Sequence, residues 1–301
     1  MPDNVLARRQ QYDSPLFGLS TMLLSVLLFS MMDATVKWLG GNYPTQQIMF
    51  FRCAVAMIPV SMIIYIRGGI SILKTQQPAL HLLRSLLGIT AMGFAFYAFS
   101  LMRLADAISI LHATPVIMTA LSVLLLGESV GIHRWTAVVA GFIGILIVVR
   151  PGEGMIASGS FFMLIAALLI GFTTIIIRHL TARDDPVCIT FYFTLMGVIV
   201  SAIGMAVLGW QIPQPRDWIF LVGVGLFGGI AQYMMTVSYR HAIIAIVAPL
   251  KYLSIVIGGI FAYFIWGEIP DLQSFIGIAI IVLSGLYTLR REVLYARRRS
   301  L

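Results

Sequence analysis

Charge is scarce in this chain. Only 11% of its 301 residues are Asp, Glu, Lys or Arg, 59% are hydrophobic, and the mean hydropathy is +0.96. A soluble domain must cover its surface with polar groups, and this composition cannot, so the solvent for most of the molecule is lipid. Cysteine is nearly missing. Cys53 and Cys188 fall inside apolar segments far apart in sequence, which excludes a disulfide framework and reads as two small buried hydrophobes. There is no P-loop and no H-E-x-x-H pattern, so ATP is not the direct energy source, and neither a metal nor a cofactor is expected.

Acids are scarcer than bases, 12 against 20, for a net charge of +8. Nucleic-acid binders gather Lys and Arg on one soluble face. Here the bases sit at the ends of apolar runs, so a nucleic-acid partner is excluded. Short alternating segments, the mark of an outer-membrane barrel, are absent as well.

What is present is a series of apolar stretches of about 17 to 25 residues, each long enough as a helix to cross a hydrocarbon core. Windows between polar breaks give ten spans: 16–39, 45–66, 79–102, 107–126, 134–150, 160–180, 187–208, 218–239, 242–266 and 272–290. The breaks carry turn chemistry, such as Gly40-Gly41-Asn42-Tyr43-Pro44 and Pro151-Gly152-Glu153-Gly154, and none is long enough to hold a domain. Leu16 to Leu39 has no small-residue cleavage pattern after it and carries Asp33 and Lys37, so it is expected to be a retained first helix and not a signal peptide.

With the N-terminus inside, the cytoplasmic segments hold fourteen cations, Arg84 among them, and the opposite side holds four, Lys37, Arg103, Arg150 and Arg216. That bias predicts both termini, residues 1–15 and 291–301, in the cytoplasm.

The chain repeats itself. Met22-Leu23 matches Met163-Leu164 and Lys37 matches Arg178 at an offset of 141, while Gly127-Glu128 matches Gly267-Glu268 at 140. Residues 16–150 and 160–290 thus form two copies of five spans. Because five is odd, the second copy enters the membrane from the other side, and the repeat is inverted. The expected fold is an all-α polytopic membrane protein of ten transmembrane helices.

These residues resemble a known family, the EamA-type ten-helix members of the drug/metabolite transporter superfamily. The likeness rests on Lys37 ending helix 1, Phe51-Arg52, Pro115-Val116 ahead of Glu128, and Ala248-Pro249-Leu250-Lys251-Tyr252 ahead of Glu268. It implies a central cavity between the halves, alternating access, and small organic solutes such as amino acids, vitamins or drugs. Leu80-His81-Leu82-Leu83-Arg84-Ser85-Leu86-Leu87-Gly88 and the Ala-Pro-x-Lys-Tyr pattern look similar to the branch that holds S-adenosylmethionine and riboflavin uptake carriers.

Lys251 is the most informative residue. It stands nine residues past Ala242, roughly 14 Å into a straight helix 9 and near the bilayer midplane, where a lysine must face protein or water. It is expected in the substrate pathway; pairing with an acid on another helix, or loss of its charge, are the structural alternatives. Pro115 and Pro249 interrupt the equivalent helices 4 and 9 and free carbonyls there, which points to the binding region. His112 and Tyr252 border that region, although a histidine satisfied within the core would serve packing alone. Tyr97, Gln232, Tyr233 and Thr236 carry polar handles in the aromatic-rich helices 3 and 8 and are candidates for touching the solute.

Asp33 and Lys37, spaced i, i+4, can neutralise each other near the outer surface, with Asp33 alternatively a proton or cation site. Arg52 is read as a structural tie to Asp33, or as a long stem reaching the interface. Gly225-x-x-x-Gly229, and Gly141 with Gly144, are read as close helix crossings. Gly127-Glu128-Ser129-Val130-Gly131 matches G-x-S-x-G but lies in an interhelical turn, not a strand-to-helix elbow, so an intramembrane hydrolase is set aside. A channel would need a ring of repeated polar residues. The expected protein is a secondary transporter in a bacterial inner membrane, its partners being a small solute, the bilayer, a proton or solute gradient, and a second copy of itself as a candidate homodimer.

Overall fold

The computed structural model describes residues 15–112, 114, 132–149, 155–242 and 247–299. Ten α-helices run through them: α1 (Pro15–Gly40), α2 (Thr45–Ile66), α3 (Pro78–Leu101), α4 (Leu104–Leu111), α5 (Ile132–Val149), α6 (Met155–Thr181), α7 (Pro186–Leu208), α8 (Trp218–His241), α9 (Leu253–Trp266) and α10 (Leu272–Arg299). No strand occurs among the described residues. Six of the helices, α1, α2, α3, α6, α7 and α8, hold windows long and apolar enough to cross a membrane, and α5, α9 and α10 carry shorter apolar stretches.

Local chemistry sets the ends. Pro78 and Pro186 open α3 and α7, where a helix has no use for the missing N–H. The Asp185 carboxylate accepts the Val187 N–H at 3.0 Å and caps α7. Gly267 closes α9 at φ 65°, a left-handed turn that glycine adopts without a Cβ penalty. Ile58, Met62, Val207 and Phe264 are each more than half exposed. On a helix bundle of this composition, that apolar outer surface is the one lipid covers.

Packing couples the two halves as a two-fold relation demands. The first helix of one half lies along the third of the other, α1 on α8 and α3 on α6, while α2 meets α7, α4 meets α9 and α5 meets α10. Glycines let the backbones approach. A Cβ on Gly225 would stand 2.8 Å from the Phe51 carbonyl, and one on Gly229 would stand 2.7 Å from the Ala56 Cβ. At the α5–α10 crossing, a Cβ on Gly144 or on Gly277 would meet the other's carbonyl at 2.9 Å. Two serines stitch α1 to α8: Ser25 Oγ donates to the Ala231 carbonyl at 2.9 Å and Ser238 Oγ to that of Gly18 at 2.7 Å.

Polar ties close both ends of the bundle. At one end Arg67 and Arg240 both reach Asp185, at 3.1 and 3.3 Å, and His81 and Thr75 both meet Asp184 at 2.8 Å. At the other end Tyr43 donates to Asp217 at 2.7 Å. Burial and that neighbouring carboxylate hold the Tyr43 hydroxyl above its ordinary range.

Four expectations need correction here. Span 4 was expected to start at 107, but α4 starts at Leu104 and ends at Leu111, and the remainder of that span lies outside the described residues. Span 9 is not one helix: Ala248–Tyr252 is a 3-10 turn and α9 begins only at Leu253. Helical structure continues to Arg299, into the stretch expected as a tail. Arg84, counted as a cytoplasmic cation, lies inside α3 and is 2% exposed. Its guanidinium is stacked on Phe193 and so is drawn into the bundle. The expected bias then falls from fourteen cations to thirteen, against four on the opposite side.

Candidate functional site

The site grows from two interrupted helices, one in each half. α4 ends at Leu111 with His112 as its C-cap, and α9 is delayed by the 3-10 turn that carries Lys251 and Tyr252. At the repeat offset of 140, His112 and Tyr252 are equivalent positions, and their rings lie 6.0 Å apart. Thus the halves meet through matching residues at matching breaks.

His112 is fully engaged. Nδ1 lies 2.7 Å from the Ile108 carbonyl, which can only accept, so Nδ1 carries a proton. Nε2 lies 2.9 Å from Ser254 Oγ, which is itself 2.8 Å from the Lys251 carbonyl. One hydroxyl proton cannot serve both acceptors. With neutral His112 the serine donates to Nε2; with cationic His112 it turns to the Lys251 carbonyl.

Lys251 makes no ion pair among the described residues, and its Nζ lies 5.3 Å from the centroid of the buried Tyr239 ring. Because it sits in the 3-10 turn, the straight-helix depth expected for it does not apply. Tyr252 is buried with its hydroxyl unpartnered, packed where Gly285 of α10 leaves room for it. Pro249 falls in the same turn. Pro115, Glu128 and the G-x-S-x-G stretch lie outside the described residues.

A second polar group occupies α2, α3 and α7. Arg52 and Arg84, each 2% exposed, bring their guanidinium carbons within 5.0 and 3.7 Å of the Phe193 ring centroid. Arg52 does not snorkel, and the expected tie to Asp33 is not made: Arg52 reaches the Gly228 carbonyl at 3.4 Å instead, acting on Asp33 only through space. The Asp33–Lys37 neutralisation also fails. Lys37 Nζ donates to Glu268 Oε1 at 2.6 Å and to the Met102 carbonyl at 3.2 Å, since Glu268 also accepts the Leu104 N–H and is thereby fixed in front of it.

The remaining candidates scatter. Gln232 and Thr236 are buried one turn apart on α8; Thr236 donates to the Gln232 carbonyl, and Gln232 Nε2 has no partner. Tyr233 meets Arg67 at the end of the bundle, at 3.4 Å. Tyr97 is 43% exposed and packs edge-on against Phe162, so it stands apart from the group around His112. Sequence reasoning missed Arg84, Phe193 and Ser254. Arg84 had a usable signal, standing six residues past Pro78 within the apolar run.

The model of the EamA-like transporter family matches this chain twice, over residues 16–150 and 157–290. The S-adenosylmethionine uptake transporter of Rickettsia prowazekii (strain Madrid E) is 26% identical over 287 residues, covering 94% of each protein. The pseudopaline exporter CntI of Pseudomonas aeruginosa (strain UCBPP-PA14) is 28% identical over 271 residues, 89% of this chain and 94% of its own. The riboflavin transporter of Vibrio cholerae is 26% identical over 288 residues, 94% and 96%. A solved crystal structure has a TM-score of 0.66 at 18% identity, over 94% of this chain and 99% of its own, a likeness of fold alone. The chain belongs to the EamA-like transporter family of the drug/metabolite transporter superfamily and is a multi-pass membrane transporter, not an enzyme.

Proposed function

We propose that this chain is a secondary carrier that moves a small organic metabolite by alternating access, with Lys251, Tyr252 and His112 at the wall of its pathway. The observation that carries the reading is the meeting of repeat-equivalent His112 and Tyr252 at 6.0 Å, each at a helix interruption. A helix that is already broken has polar backbone to offer a solute, and it bends without losing a continuous hydrogen-bond ladder. Lys251, without an ion pair among the described residues, supplies a cation beside that break. Gln232, with a free amide, is a candidate contact on α8.

The candidate solutes are S-adenosylmethionine, a riboflavin-like vitamin and an amino acid, each handled by uptake with both termini cytoplasmic in a bacterial inner membrane. A gradient coupled through Asp33 is the energy source, and a homodimer is a candidate assembly. Export is the second reading, favoured by the 28% likeness to the pseudopaline exporter.

Purified protein in proteoliposomes, offered labelled metabolites with and without an imposed proton gradient, tests the reading. Saturable uptake that Lys251→Ala reduces at least tenfold is expected. Unchanged uptake in Lys251→Ala removes Lys251 from the pathway, and unchanged pH dependence in Asp33→Asn returns Asp33 to a structural role.

A further inference from the structure

We propose that Arg52 and Arg84 form a site for a carboxylate of the transported solute, with Phe193 as the surface on which the two cations rest when no solute is bound. This rests on the carrier reading above and narrows its substrate class to carboxylate-bearing metabolites.

Two arginines from different helices converge on one aromatic ring, at 5.0 and 3.7 Å, and both are 2% exposed. Neither makes an ion pair among the described residues. Arg52 Nε and Arg84 Nε and Nη1 are buried without any partner. The bonds Arg52 does make, to the Gly228 carbonyl at 3.4 Å and Cys53 Sγ at 3.9 Å, are long. Burying one cation among apolar helices is costly, and burying two side by side without an acid in contact is more so. The aromatic face recovers only part of that cost.

The room for both guanidiniums is built by glycine. A Cβ on Gly88 would stand 3.0 Å from the Phe193 ring and 3.3 Å from Arg84 Nη1, and one on Gly228 would stand 3.0 Å from Arg52 Nε. Gly88 and Gly228 are equivalent at the repeat offset of 140, and Arg52 and Phe193 at the offset of 141. The cradle therefore straddles the relation between the halves, where alternating access requires a solute to sit.

Guanidinium nitrogens lie in one plane as paired donors, and a carboxylate accepts two parallel bonds from them. In the present arrangement the cations are covered, so binding exchanges the ring of Phe193 for the carboxylate as α3 and α7 separate.

The test is uptake into wild-type proteoliposomes of S-adenosylmethionine, its decarboxylated form, methionine, methionine amide, riboflavin and inorganic phosphate. A carboxylate-bearing solute should be carried, and its carboxyl-free counterpart at least tenfold less well. Arg84→Gln and Arg52→Gln should each raise the KM for the carboxylate by about ten- to a hundredfold, the range for losing a charged hydrogen bond, while Arg84→Lys recovers part of it. Equal transport with and without the carboxylate, or transport of riboflavin or phosphate alone, overturns the inference and leaves the carrier reading standing. So does an unchanged KM in Arg84→Gln protein whose melting midpoint is also unchanged. Should that variant fail to fold, the wild-type discrimination still decides. No uptake of any of the six solutes overturns the carrier reading and this inference together.

Discussion

The Lys37–Glu268 tie joins the end of α1 to the loop before α10, and removing it should destabilise the protein measurably. The two side chains are 11% and 20% exposed and their charges approach to 2.6 Å, so water screens them little. Replacing Lys37 by Met leaves the Glu268 carboxylate largely buried with the Leu104 N–H at 3.2 Å as its remaining partner. Stranding a buried charge costs about 3 to 5 kcal/mol, and the exposure that remains places this pair at about 3 kcal/mol. Glu268→Gln keeps an acceptor for Leu104 and should cost about 2 kcal/mol. The double variant should be destabilised by about 2 kcal/mol less than the sum, because either change alone already breaks the pair. Exchanging the charges should recover under half, since Lys at 268 cannot accept from Leu104 and Glu at 37 cannot donate to Met102. Cys53 and Cys188 are the only cysteines and both are buried, so a thiol-reactive fluorogenic dye reports unfolding directly. At about 2 °C per kcal/mol for a chain of this size, Lys37→Met should lower the melting midpoint by about 6 °C. Midpoints unchanged within about 1 °C, or strictly additive single changes, would show that the tie stores no energy.

Other outcomes follow from the same geometry. Gly225→Val should lower the melting midpoint by the equivalent of about 1 to 3 kcal/mol, because its Cβ meets the Phe51 carbonyl of α2 and backbone cannot move aside, whereas Gly259→Ala, which opens onto free space, should be neutral. Asp185→Ala removes the α7 cap and the shared partner of Arg67 and Arg240, costing about 1 to 2 kcal/mol by the same assay, and Asp185→Asn should retain most of the cap. Ser254→Ala leaves His112 Nε2 unpaired and should change the pH dependence of uptake more than its maximal rate, read from pH profiles of the two proteins. The Tyr43 hydroxyl is held above its ordinary value of 10.0, so the folded state keeps that proton longer than the unfolded one. Its contribution to stability is present below pH 10.0 and lost as pH rises past it, and Tyr43→Phe should flatten that alkaline decline in melting midpoint.

Hydropathy and spacing were enough for the all-helical class and for the order of the helices among the described residues, because apolar runs of membrane-crossing length leave few alternatives. Span 2, read as 45–66, and span 7, read as 187–208, agree with α2 and α7 to within one residue at each end. The repeat and the glycine crossings at Gly225 and Gly229 were equally legible, since each is a local pattern or a match at fixed offset. Partners were not. In a membrane helix the faces turned to lipid and to protein are both apolar, so periodicity does not say which way a side chain looks. Lys37 had Asp33 one turn away yet bonds Glu268, 231 residues on, because the folded loop delivers a better-placed carboxylate. Arg84 passed for a loop cation until Phe193, from the other half, supplied the ring that holds it inside. Sequence alone determined that this chain crosses a membrane as two related bundles; only the tertiary structure decided which charges lie within them, because a buried cation is tolerated by what other helices bring to it and not by its own neighbours in the chain.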